Sequence, residues 1–234
     1  MGEAAGELKG RAFFEFDAIG GQIHLKDDVK LYEEHGEGKL TKLIPDLSGV
    51  DPDDAFSRVP YEKGFSLLYY LEGVVGGPEV FDPWMKAFLQ AYKFQAITSW
   101  DMVDHFTSYF AGGAHGGEPI DVSSIVDWDA WFFNPGMPHV ANEFDTTLRD
   151  ACDSLADQWV FSPDRVAKST AAHWATPQFL CFLDRLVTLS GGAEFRLSPN
   201  APLLLLGSLI LCASVSMRGL TLCRVYGAGS TAPN

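Results

Sequence analysis

Gly76-Gly77-Pro78 is the feature that most restricts what this chain can fold into. Paired glycines let a helix end in left-handed backbone, and a proline directly after them suits the first turn of the next helix, where a missing N–H costs nothing. On both sides of this break the apolar residues fall at helical spacing. Upstream, Tyr61 to Val75 reads as a helix, with Ser57 as a candidate N-cap and Pro60 in the first turn. Downstream, Phe81, Trp84, Met85, Phe88, Leu89 and Tyr92 recur every three or four residues. Thr98-Ser99-Trp100-Asp101 then has the form of a capping box, opening a further helix to Phe110. The expectation is a mainly α chain.

The flanks carry similar punctuation. Residues 1–19 read as a helix that Gly20-Gly21 stops, and Gln22 to Glu34 as a second one broken by Gly36-Glu37-Gly38. The aromatic run Asp127-Trp128-Asp129-Ala130-Trp131-Phe132-Phe133 precedes Asn134-Pro135-Gly136-Met137-Pro138, a natural linker. Trp128 and Trp131 are therefore expected to seal a junction between two domains. Asp145 or Thr146 can cap a helix through Trp159, and Thr176-Pro177 opens another to Leu189. Past Gly192 the leucine-rich run lacks amphipathic period. It is shorter than the ~20 apolar residues of a membrane span and is interrupted by Gly207, Ser208, Ser214 and Ser216. The domain expectation is 1–133, a linker over 134–145, a second helical region over 146–190, and an atypical tail over 191–234.

With 47% hydrophobic residues among 234, the chain can bury a sizeable core. A net charge of −14 argues against nucleic acid, whose phosphates want a basic face. Cys152, Cys181, Cys212 and Cys223 are widely spaced with no Cys-x-x-Cys, so a cysteine-based zinc site is not expected. Glu3-Ala4-Ala5-Gly6-Glu7 has neither the basic nor the apolar region of a secretory leader, which leaves the cytoplasm as the expected compartment. None of the six histidines pairs with another at i+4, and no His-Glu-x-x-His occurs.

The segment Arg58-Val59-Pro60-Tyr61-Glu62-Lys63-Gly64-Phe65 resembles the catalytic-tyrosine segment of zinc aminopeptidases. Together with Phe16-Asp17-Ala18-Ile19-Gly20-Gly21, Val50-Asp51-Pro52-Asp53, Gly76-Gly77-Pro78-Glu79, Val126-Asp127-Trp128 and Pro135-Gly136-Met137-Pro138, it identifies residues 6–190 as similar to peptidase family M1. The resemblance is to the leukotriene A4 hydrolase and aminopeptidase B branch. It implies the helical lobe of a thermolysin-like domain followed by the start of an α-solenoid, peptide or small-molecule substrates, and zinc as the family's cofactor. It also implies a chain that begins downstream of the family's zinc ligands, and so binds no zinc alone.

Residue by residue, Tyr61 matches the tyrosine whose hydroxyl stabilises the oxyanion. Glu62 is its neighbour and a weaker candidate for orienting it. Asp53 matches an acidic channel residue, for which a turn aspartate is the plain alternative. Leu40, Leu47, Pro52 and Ala55 match channel-wall positions that could equally be core. Phe56 stands where this branch carries a second channel tyrosine, which puts lipid-epoxide hydrolysis in doubt. The expected function is a metallo-aminopeptidase lineage inactive as this polypeptide. The alternative is a non-catalytic helical module that binds peptide or protein through the old channel.

Overall fold

The computed structural model describes residues 10–51, 53–114, 116–162, 171 and 173–190. Among them are eight α-helices and no strand: α1 (Arg11–Glu34), α2 (Val59–Val75), α3 (Pro78–Tyr92), α4 (Ser99–Ala111), α5 (Val122–Ile125), α6 (Trp128–Phe133), α7 (Thr147–Phe161) and α8 (Thr176–Ser190). A 3₁₀ turn covers Gly38–Thr41. The mainly α expectation holds. Leu8, Pro52, His115, Cys212, Cys223 and the whole of 191–234 lie outside the described residues.

The expected break at Gly20-Gly21 is absent: α1 passes through both glycines without interruption. The pair has another use. A Cβ on Gly21 would overlap the carboxylate of Glu62 on α2, so the bare backbone leaves room for that side chain. Nothing lies within 4 Å of a Cβ built on Gly20. Gly20→Ala should therefore raise stability by about 0.5–1 kcal/mol, the usual gain from replacing a helical glycine. Gly21→Ala should gain less than Gly20→Ala, because the end of the Glu62 side chain must turn aside; paired urea titrations decide it.

The helix ends around α2 and α3 follow the local chemistry. Gly76 takes left-handed backbone with φ 105°, and the Gly77 N–H reaches back 2.8 Å to the Glu72 carbonyl. Thr98 and Asp101 form the reciprocal capping box at the start of α4: the Thr98 N–H donates to Asp101 Oδ2 at 2.7 Å, and Asp101 N–H to Thr98 Oγ1 at 3.3 Å. At the start of α2 the N-cap is Arg58, one residue later than expected; Ser57 still contributes by accepting the Val59 N–H at 3.2 Å.

The described residues fall into two compact units. One is Ala18–Phe144 and the other combines the described residues of 1–17 and 145–234. In the first, Leu67 and Leu71 of α2, Trp84 of α3, Phe106 and Phe110 of α4, and Trp131 of α6 make one buried core. Trp84 meets Phe106 edge-on at 4.7 Å and donates its indole N–H to His105 Nδ1 at 3.0 Å. Trp131 is fully buried beside Tyr70, and Trp128 packs on the same cluster. The expectation of a domain seam at these tryptophans is thus corrected: they face α2 and α4 inside one unit. In the second unit α7 and α8 pack along their length around Trp159 and Phe182. Cys152 and Cys181 are free and buried there.

Candidate active site

Three supports, from Arg58, Glu62 and Lys63, hold the start of α2. Arg58 grips Asp28 of α1 by its guanidinium, and its own backbone N–H donates to Asp28 Oδ2 at 3.0 Å. The hydrogen-bonded guanidinium holds the Asp28 carboxyl below the usual carboxylate range. Glu62 lies against Gly21. Lys63 turns inward, is 1% exposed, and donates to three main-chain carbonyls: Thr41 at 3.0 Å, Asn134 at 2.8 Å and Gly136 at 2.9 Å. Thr41 closes the cage, donating its hydroxyl to the Gly38 carbonyl and accepting the Gly136 N–H, both at 2.6 Å. Burial pushes the Lys63 ammonium down to about 8.

Opposite this anchored face, Tyr61 projects outward with 66% of its surface exposed. It lines a groove of about 790 Å³ together with Leu31, Tyr32 and His35 of α1, Phe56, and the Asp28–Arg58 pair. Leu40 lies at its wall, buried. Phe56 presents a ring that is 79% exposed. The groove therefore offers one exposed phenol, an apolar floor and a neutralised ion pair.

The remaining residues singled out from sequence lie elsewhere. Asp53 is exposed and its backbone N–H donates to Asp51 Oδ1 at 2.9 Å, so the aspartate whose carboxylate caps this turn is Asp51. Asp51 and Asp54 line the groove in its place. Ala55 and Glu62 are half-buried and Leu47 is half-exposed; none of the three is among the lining residues. Pro52 lies outside the described residues.

Lys63, Thr41, Asp28 and Arg58 were missed as functional residues. Lys63 had a signal in the sequence. It falls on the α2 stripe of Val59, Ser66, Leu67, Leu71 and Val75, all buried, where a lysine needs partners. Thr41, Asn134 and Gly136 contribute through backbone or through distant pairing, which side-chain patterns do not disclose.

No His, Cys, Asp or Glu side chains among the described residues gather in threes as a metal site. These residues do not fit a zinc ion. Among them also no helix is long and apolar enough to cross a membrane.

The model of the peptidase family M1 domain matches residues 26–131, which include the groove and the Asp28–Arg58 pair. Residues 26–131 belong to peptidase family M1. The chain is 41% identical over 179 residues to a leukotriene A-4 hydrolase homolog of Botryotinia fuckeliana, covering 76% of this chain and 27% of that one. It is 39% identical over 179 residues to leucine aminopeptidase 2 of Sclerotinia sclerotiorum, covering 76% and 28%. Native leukotriene A4 hydrolase from Saccharomyces cerevisiae shares the fold, with a TM-score of 0.69 at 24% identity over 90% of this chain and 34% of that one. The chain thus spans about a quarter of the length of the curated relatives it matches. Its lineage is that of the M1 metallopeptidases.

Proposed function

We propose that the groove beneath α2 is the substrate-facing part of an M1 aminopeptidase site, with Tyr61 as its hydroxyl donor. The observation that carries this reading is the contrast on one helical turn: Lys63 is anchored inward by three carbonyls while Tyr61 stands free in the groove. A phenol presented in this way can donate to the oxygen that gains negative charge when a scissile carbonyl is attacked. One such donor is worth about 3 kcal/mol of barrier. Zinc supplies Lewis acidity in the family when bound, but the described residues assemble no ligands for it, and no step here runs through it. The catalytic apparatus as a whole is accordingly assigned to more than these residues, and the isolated chain is expected to show neither stoichiometric zinc nor turnover. Peptides rather than lipid epoxides are the favoured substrates. Phe56 offers no hydroxyl to the groove, and Asp53 is not among the residues that line it.

Two measurements test this. Elemental analysis and an alanyl or arginyl chromogenic amide assay on the chain alone should both be blank; one zinc per chain with turnover would refute that part. The M1 segment should also support activity when it replaces its counterpart in leucine aminopeptidase 2 of Sclerotinia sclerotiorum. In that chimera Tyr61→Phe should lower kcat by roughly 10²–10³ at unchanged melting temperature. Full activity in the Tyr61→Phe chimera would end the assignment of Tyr61.

A further inference from the structure

Lys63 is costly as it stands. Its ammonium is buried, and its partners among the described residues are three neutral carbonyls, with no carboxylate. A methionine or leucine would fill the same space without that desolvation. What the ammonium adds is convergence. Thr41 O, Asn134 O and Gly136 O come from two stretches far apart in sequence, and a three-pronged donor fixes them to one point on α2. That point lies two residues from Tyr61, on the inward side of the same turn. At the start of this helix the Tyr61 and Glu62 N–H both donate to the Arg58 carbonyl at 3.0 Å. The first N–H groups of a helix have no intrahelical acceptor, so its first turn frays unless something outside holds it.

We propose that Lys63 is a positioning residue for Tyr61: the three-carbonyl cage fixes the first turn of α2 and thereby the direction of the phenol. The proposal rests on the reading that Tyr61 faces substrate. A phenol oxygen stands several ångströms from its own Cα, so a small tilt of the turn is magnified at the hydroxyl. Displacement by about 1 Å at a reacting group can cost 10²-fold in rate.

The test is amide hydrogen exchange on the full chain, which needs no activity. In Lys63→Met, exchange at residues 61–63 should rise by about tenfold or more over wild type, while residues 67–75 of the same helix change less than about threefold. A uniform rise along all of α2 would make Lys63 a general stabiliser and overturn the proposal, as would no rise at 61–63. Should Lys63→Met give no dispersed spectrum, Thr41→Val carries the same test. It leaves the ammonium but removes the hydroxyl that joins Gly38 to Gly136, and the same selective rise is expected. Failure here with a large Tyr61→Phe effect in the chimera would leave the catalytic reading standing and remove only the positioning role.

Discussion

Trp84→Ala should cost about 4 kcal/mol, the largest single-site loss in the Ala18–Phe144 unit. The indole is fully buried and touches Phe81, Phe88 and Phe106 at ring-centroid distances of 5.0, 5.5 and 4.7 Å. Truncation removes the transfer energy of a whole aromatic ring and leaves a cavity that the two flanking helices cannot close. It also strips His105 Nδ1 of its donor. The melting temperature should fall by roughly 10 °C or more, as expected for a loss of this size in a domain of 100–150 residues. Trp84→Phe separates the contributions: it keeps a ring and loses the N–H, so it should cost about 1–2 kcal/mol. A Trp84→Ala variant with a melt within 3 °C of wild type would mean that α3 is not part of the core.

Lys63→Met should cost roughly 3–4 kcal/mol at pH 7. Each of three carbonyls left without a donor is worth about 1–3 kcal/mol. The sum is reduced because the wild type itself bears the cost of burying an ammonium. That cost gives the prediction a pH signature. The ordinary lysine value is 10.5, whereas folded Lys63 releases its proton near 8. Between the two, the unfolded chain binds more protons than the folded one, so the Lys63 contribution to stability grows as pH rises through this window. The growth is up to about 3 kcal/mol. The stability gap between wild type and Lys63→Met should therefore widen from pH 8 to pH 10.5 in parallel urea titrations. A gap that narrows would show that the carbonyl dipoles outweigh burial and hold the proton on.

Helix positions were legible because their ends are written in short-range chemistry. Gly76-Gly77-Pro78 and Thr98–Asp101 specify a stop, a restart and a cap within a few residues, and the structure has all three. Gly20-Gly21 was misread for a physical reason. Glycine ends helices through left-handed backbone, but it also sits inside them where another element comes close. Only the Glu62 carboxylate, 41 positions away, distinguishes the two uses. The same limit applies to the site. Tyr61 stood out through its motif, and Phe56 through its neighbourhood; both line the groove. The Asn134–Pro138 segment has a linker's composition, yet its carbonyls hold a buried charge, and backbone carbonyls leave no mark in residue patterns.

The Lys63 cage also sets an order of events during synthesis. Its ammonium joins α2 to carbonyls 71 and 73 residues further along, so the last two bonds cannot form until residue 136 has left the ribosome. Contacts of such long sequence separation close late because the loop entropy must be met first. A nascent chain that has made Tyr61, and even the whole of α2, holds the tyrosine on an unanchored turn. The phenol takes its final direction only when a stretch with no side chain in the groove arrives to hold it.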